Sequence, residues 1–401
     1  MNRMILGENQ IYSLDCYETQ MNNNVLVVGT SGSGKTRSVV TPNILEATGS
    51  YIISDPKGSL YKRYAKYLQN KGYKVKKLDF VNSNKSCHYN FFNYIHNTRD
   101  IVKMAHILMS EERPGNMDPF WTEASEILLQ AIMAYMFETC DKEECTLNNV
   151  LWLISKCQID ENDISVKTEL DLLFDDYRKV NPESFAVGQY DKFRIAAGKT
   201  LKSIMISVNA KLATYDIPEI REMTKEDDID IANIGEGKTA LFVVVSDTDR
   251  SLDGLANVFF TQAMNELCTY ADNNCESESL PIHVRFILDD FATNCKIYDF
   301  PRMIASIRSR NISVMLIIQS ESQLRAFYRE DEKTIIGNCD SYLYLGCNDV
   351  ETATEISKRA NVPLAKILYM PIGTNWLFRR GQLPINGKNL QLERYMEQMS
   401  L

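Results

Sequence analysis

The sequence predicts an α/β protein with a mainly parallel central sheet, interrupted by an all-α domain, and three features carry that expectation. Short apolar runs alternate with segments of helical periodicity, a glycine-rich turn joins the first run to a helix, and the stretch 97–196 differs from the rest in texture and charge. The expected strands are Asn24 to Val28, Tyr51 to Ser54, Lys74 to Leu78, Ala240 to Val245, Val284 to Leu288, Ser313 to Ile318 and Tyr342 to Leu345. Most are apolar throughout rather than alternating, as strands are when helices cover both faces of a parallel sheet.

Between them, Ile101 to Met109, Phe120 to Tyr135 and Leu147 to Ile154 space apolar residues by three and four, the period of amphipathic helices. From Asn97 to Arg194 there are 10 basic and 19 acidic residues, while the remainder balances at 34 of each sign, so the whole formal charge of −9 sits in this segment. The expected organisation is one α/β domain in two parts, 1–96 and 197–401, around a helical insert at 97–196.

Composition sets outer limits. The chain has 401 residues, 44% apolar and 24% charged, which excludes the disordered class and a uniformly basic nucleic-acid coat. The longest nearly apolar stretch, Ile127 to Phe137, is eleven residues interrupted by Gln130, against the roughly 20 that a helical membrane span needs. The first ten residues lack the apolar core of a secretory signal. The expectation is an intracellular chain without a membrane segment of its own. Ten cysteines without a C-x-x-C and four scattered histidines give zinc, disulfide or triad chemistry little to stand on.

After the first strand comes Gly29-Thr30-Ser31-Gly32-Ser33-Gly34-Lys35-Thr36, a complete G-x-x-x-x-G-K-T between strand and helix. The glycines let the chain curl so that backbone N–H groups face phosphate, and the following helix adds its positive end. Lys35 supplies a charge toward the β- and γ-phosphates, and Thr36 a hydroxyl for Mg²⁺. Arg37, next in the helix, is counted with the loop as nucleotide-binding. The expected cofactors are ATP and Mg²⁺.

Such a site needs an acidic residue at a neighbouring strand end, and Asp289, after Val284 to Leu288, is the expected Mg²⁺ partner. Asp290 occupies the place of the general base, more often glutamate. Asp is shorter by one methylene, roughly 1.3 Å of reach, and a base must lie within about 2.6–3.2 Å of its proton. The bland alternative is an Asp pair that caps the next helix. Gln319, ending the run Ser313 to Ile318, is placed to sense the γ-phosphate or orient water, or is a plain strand-end amide. Arg308 and Arg310 end a short helical segment, where they act as an arginine finger on a neighbouring subunit or complement the helix dipole.

These residues resemble a family, the TraG/TraD-type coupling proteins of type IV secretion and conjugative DNA transfer, which are RecA-like motors related to FtsK and HerA. The resemblance spans nearly the whole chain. It rests on the phosphate loop and its strand, Thr41-Pro42-Asn43, Ser54-Asp55-Pro56-Lys57-Gly58, Tyr89-Asn90, Phe120-Trp121, Asp289-Asp290-Phe291, Arg308 to Ser313, Gln319-Ser320 and Ile336 to Asp340. It implies a RecA-like P-loop domain interrupted by an all-α domain, a homo-oligomer of hexameric form with ATP at subunit boundaries, and Arg308 rather than Arg310 as the finger. Family members usually carry an N-terminal membrane anchor and an Asp-Glu pair. This chain starts close to its phosphate loop and has Asp289-Asp290, so a membrane tie is expected through partners at the cytoplasmic face.

Charge suggests the partners. From Lys57 to Lys77 eight basic residues occur without an acidic one, interleaved with Tyr61, Tyr64, Tyr67 and Tyr73. Either they face single-stranded DNA, with the tyrosines as stacking surfaces, or they form a solvated helix whose tyrosines pack on the sheet. The acidic insert fits a basic partner; in the family the all-α domain faces incoming substrate, such as a relaxase or effector tail. The expected function is an ATPase that delivers relaxase-bound single-stranded DNA, or protein, to a type IV secretion channel. Its rivals are a nucleotide-gated substrate receptor with little hydrolysis and a cytosolic FtsK/HerA-like DNA pump.

Overall fold

The computed structural model describes residues 2–110, 119–160, 163, 166–196 and 198–399. Among them the chain forms β1 (Arg3–Gly7), β2 (Gln10–Ser13), β3 (Val25–Val28), β4 (Ser50–Ser54), β5 (Lys74–Asp79), β6 (Thr239–Val244), β7 (Val284–Leu288), β8 (Ile312–Ile318), β9 (Ser341–Tyr344), β10 (Thr374–Arg379) and β11 (Ile385–Lys388). Each expected strand coincides with one of β3 to β9 to within a residue at either end.

Nine strands form one sheet in the order β11-β10-β9-β3-β8-β7-β4-β6-β5. The pairs from β9 to β5 are parallel, and β10 adds antiparallel to β9 and β11 to β10. Side chains alternate across the sheet. Val25 and Val27 of β3, Ile53 of β4, Ile287 of β7 and Leu343 of β9 share one face, which packs on Val39, Val40 and Ile44 beyond the phosphate loop. Met4, Ile5 and Leu6 of the β1–β2 hairpin close this layer. Asn43 fixes the hairpin: its Oδ1 accepts Ile5 N–H at 3.1 Å and its Nδ2 donates to the Ile5 carbonyl at 2.7 Å. Met4, Ile5, Leu6 and Leu14 are therefore core residues, while Ile11 and Tyr17 are exposed.

The chain divides into two units. The sheet unit comprises residues 1–81, 230–250 and 263–401, and the helical unit 82–229 and 251–262. The helical unit is wider than the stretch 97–196 read from charge, and reaches into both parts assigned to the α/β domain. Aromatic packing is the reason: Tyr89 meets Phe259 edge-on at 5.2 Å, and Gln262 donates to the Phe91 carbonyl at 2.9 Å while accepting from the Tyr89 hydroxyl. Within this unit the helices Thr98–Met109, Pro119–Thr139, Leu147–Ser155, Glu169–Val180, Phe185–Arg194 and Gly198–Leu212 follow one another. The acidic residues Glu111, Glu112, Asp118 and Glu161 lie outside the described residues. No helix among the described residues is long and apolar enough to cross a membrane.

Candidate nucleotide site

Parallel strands bring the loops after their C-terminal ends to one edge of the sheet, where ligands of open α/β sheets bind. β3, β8 and β7 are consecutive there, so the loop from Gly29, the residue Gln319 and the pair Asp289-Asp290 emerge side by side. The phosphate loop is tied to both neighbours: Gly29 N–H donates to the Ile318 carbonyl at 3.1 Å, and Thr30 N–H to the Gly346 carbonyl at 2.8 Å. Gly32 and Gly34 take φ values of 80° and 91°, the left-handed region that side chains disfavour. A five-residue π-helical turn, Thr36–Val40, follows and runs into the helix Thr41–Leu45. π-Turns inside helices are frequent at functional sites.

Lys35 is buried, and its Nζ donates back to the carbonyls of Gly29 at 2.5 Å and Thr30 at 3.1 Å. Burial lowers its pKa, opposed by the negative charges of Asp290 and Asp289. The hydroxyl of Thr36 donates to Oδ2 of Asp289 at 2.7 Å. Burial pushes the Asp289 carboxyl up to about 6, with Asp290 adding to the rise and Thr36 and Lys35 opposing it. A hydroxyl and a carboxylate held together beside a phosphate cradle are the hard oxygen donors that suit Mg²⁺. The Oγ of Ser33, buried in the loop without a protein partner among the described residues, is a further group free for phosphate.

The other expected residues sort differently. Asp290 starts the short helix Phe291–Asn294 from φ 53° and ψ 43° and makes no side-chain cap to it, which removes the capping alternative. Gln319 is half-buried, its N–H held by Oε1 of Gln323 at 3.0 Å. Ser31 is exposed at the loop tip. Arg37 is exposed and ion-paired with Glu393 of the helix Leu392–Gln398. Arg308 lies in the turn Ile307–Arg310 before β8, at the sheet edge opposite the phosphate loop. Seven residues at about 3.3 Å each separate the two edges by roughly 20 Å, so Arg308 cannot serve the nucleotide of its own chain. It is exposed and meets Cys16, through the carbonyl at 3.4 Å and the side chain, whereas Arg310 forms two 2.7 Å bonds to Asp272.

The basic segment resolves one alternative. On the helix Ser59–Asn70, Leu60, Tyr64 and Leu68 are buried while Lys62, Arg63 and Lys66 are exposed. Tyr61 packs edge-on against Phe242, and the hydroxyls of Tyr67 and Tyr73 donate to the carbonyls of Leu45 and Gly49. These tyrosines are packing residues: Tyr73 is buried, and the half-buried rings of Tyr61 and Tyr67 carry the ammonium groups of Lys77 and Lys71. Sequence reading also missed Asn389, whose Nδ2 reaches the Ser33 carbonyl at 3.5 Å, and Glu393. No local pattern marks either.

The fold and this edge together define a P-loop nucleotide-binding protein of the RecA-like kind. Residues 4–360 match the family described as type IV secretory system conjugative DNA transfer, and the chain belongs to that family. The conjugal transfer protein TraG of Escherichia coli is 23% identical over 354 residues, covering 84% of this chain; the chain spans 54% of that relative's length. Among solved structures, the bacterial conjugative coupling protein TrwB in complex with sulphate superimposes with a TM-score of 0.67 at 17% identity, covering 92% of this chain and 85% of that one. TrwB in complex with ADP and Mg²⁺ gives 0.65 at 17% identity, over 91% and 84%. VirB4 of Thermoanaerobacter pseudethanolicus gives 0.57 at 14% identity, over 98% and 97%. These structural likenesses are likenesses of fold.

Proposed function

We propose that the protein is a Mg-ATP-dependent coupling ATPase of conjugative DNA transfer, which delivers relaxase-bound single-stranded DNA or a protein substrate to a type IV secretion channel. The observation that carries this reading is the Thr36–Asp289 pair beside a complete phosphate loop, in a member of the conjugative transfer family. TraG is named for conjugal transfer and a TrwB structure holds ADP and Mg²⁺; the same chemistry suits the residues here. The loop N–H groups and Lys35 bind the β- and γ-phosphates, and Thr36 and Asp289 hold Mg²⁺. When bound, the ion neutralises charge that develops on the phosphates. Asp290 takes the proton of the attacking water, Gln319 orients that water, and Arg308 completes the site of the next subunit. That last role requires a homo-oligomer, and a hexameric ring is the proposed form.

Two surfaces are assigned partners on the same reading. Lys62, Arg63 and Lys66 contact DNA phosphates. The exposed loop Asp141, Lys142, Glu143 and Glu144 of the helical unit meets a basic transfer signal on a relaxase or effector. Attachment at the cytoplasmic face of the membrane is through the channel proteins. A second reading, a nucleotide-gated substrate receptor with little hydrolysis, is favoured by the short side chain of Asp290.

The test is ATP turnover of the purified protein with and without single-stranded DNA, beside Lys35→Ala, with oligomeric state followed on the same samples. DNA-stimulated turnover that accompanies assembly and vanishes in Lys35→Ala is the expected result. ATP binding without turnover under every condition selects the gated receptor.

A further inference from the structure

Lys57, in the turn Asp55-Pro56-Lys57-Gly58 after β4, adopts φ 77° and ψ −3°, and Gly58 follows at φ 66°. Left-handed backbone suits glycine, but at a residue with a side chain it costs on the order of 1 kcal/mol or more. The flanks impose the shape. Asp55 is fully buried, its N–H donates to the Val243 carbonyl at 2.9 Å, and its carboxylate accepts the N–H groups of Leu60 at 3.0 Å and Tyr61 at 2.8 Å. Gly58 N–H closes the turn on the Asp55 carbonyl at 3.0 Å. A glycine at position 57 would follow this path without strain.

What the lysine adds is one ion pair, Nζ to Oδ2 of Asp247 at 2.9 Å, with 68% of its side chain exposed. An exposed pair contributes roughly 0–1 kcal/mol, which does not offset the backbone strain. Stability therefore leaves the ammonium at this position unexplained, whereas its place in the fold does explain it. β4 lies between β7 and β6, and Ser54 is opposite Leu288. β4 thus lies one strand, about 4.8 Å, from β7, whose end carries Asp289-Asp290, and a lysine stem reaches about 6 Å. Asp290 already acts on the ammonium electrostatically, after Asp247.

We propose that Lys57 reads the terminal phosphate of the bound nucleotide: its ammonium leaves Asp247 for a γ-phosphoryl oxygen when a triphosphate is bound, and stays with Asp247 when a diphosphate is bound. The inference rests on the nucleotide-binding reading above and adds a residue to it. The exchange also links nucleotide state to the segment after β6, because only the diphosphate state keeps Asp247 tied to the turn.

Binding, rather than turnover, tests it. Affinities for Mg-ADP and for the Mg complex of the β,γ-imido analogue of ATP are measured on wild type, Lys57→Met, Lys57→Gly and Lys57→Arg, with melting temperatures. Lys57→Met and Lys57→Gly are expected to lose roughly tenfold for the analogue, the size of one charge-assisted contact, with ADP affinity unchanged and part of the loss restored in Lys57→Arg. Lys57→Gly is also expected to melt above wild type, so that stability rises while triphosphate recognition falls. An unchanged analogue-to-ADP ratio in Lys57→Met overturns the proposal, and a lower melting temperature in Lys57→Gly overturns its strain premise. Failure of wild type to bind Mg-ADP overturns the nucleotide reading itself, and this proposal with it.

Discussion

The hydroxyl of Thr36 donates to Oδ2 of Asp289 at 2.7 Å across 253 residues of sequence, joining the phosphate loop to the end of β7. The carboxyl it meets is held at about 6, above its ordinary 3.8, chiefly by burial. A carboxyl raised in the fold binds its proton more tightly folded than unfolded, so stability falls as pH rises from about 4 to 6 and stays lowered above that. At pH 7.5 the cost is on the order of 2–3 kcal/mol. Asp289→Asn keeps an acceptor for Thr36 and removes the buried charge. In magnesium-free buffer at pH 7.5 it should therefore melt several degrees above wild type, while the magnesium-dependent part of nucleotide affinity disappears. Equal melting temperatures in thermal scans would show that the ionised carboxylate is not a burden on the fold.

Arg308 and Arg310 are separated by their partners. Among the described residues Arg310 is engaged by both oxygens of Asp272, and Arg308 only by the uncharged Cys16. Arg308→Ala should lower ATP turnover by on the order of 10³-fold with ADP binding kept, whereas Arg310→Ala should mainly lower the melting temperature. Because roughly 20 Å of sheet lies between Arg308 and its own phosphate loop, mixing Arg308→Ala with Lys35→Ala subunits should restore part of the turnover. Mixed boundaries of one orientation then pair the intact loop of an Arg308→Ala subunit with the intact finger of a Lys35→Ala subunit. No recovery on mixing would remove Arg308 from the site.

The central strands were legible because a parallel sheet buried on both faces needs continuous apolar runs, and Val25–Val28 and Ile312–Ile318 are such runs. The phosphate loop and Asp289 were legible because their chemistry fixes residue type at short spacing next to a strand. What was illegible depends on distant parts of the chain. The edge strand Ile385–Lys388 is exposed at three of four positions and has no apolar signature. The helical unit begins at residue 82 because Tyr89 and Phe91 pack with Phe259 and Gln262, a pairing that charge counting does not register. The tyrosines of residues 61–73 looked available for stacking because their helical period fits either face, and only their partners Phe242, Leu45 and Gly49 decide it. The pair Lys57–Asp247 joins the ends of two neighbouring strands far apart in sequence, beyond any local motif.

The exposed face of the helix Ser59–Asn70 makes a separable prediction about nucleic acid. Replacing Lys62, Arg63 and Lys66 with glutamine removes three cations without touching the buried Leu60, Tyr64 and Leu68. Affinity for single-stranded DNA should fall, and the slope of log affinity against log salt should shrink by about 2, as measured by titration at several salt concentrations. Tyr61→Leu, by contrast, should leave the slope unchanged and lower the melting temperature, since Tyr61 packs against Phe242. If the triple variant binds with the wild-type slope, DNA runs elsewhere on the molecule.

His283 is expected to contribute acid sensitivity to the sheet unit. Its Nε2 lies 2.9 Å from the Ser313 hydroxyl, beside Arg285, whose guanidinium is buried and bonds weakly to Ser313 and Asn43 at 3.4 Å. Desolvation, with the positive charge of Arg285 second, pushes the imidazole down to about 3 from its ordinary 6.5. A histidine with a depressed folded pKa stays neutral in the fold while the unfolded chain takes up a proton below pH 6.5. Stability is therefore complete above about pH 6.5 and is lost progressively as pH falls toward 3. Between pH 7.5 and 5.0 the urea midpoint of wild type should fall relative to that of His283→Gln, which can keep a bond to Ser313 and does not titrate, while the opposite contribution of Asp289 is common to both proteins. Parallel curves for the two proteins would mean that other groups, carboxylates among them, govern the acid response.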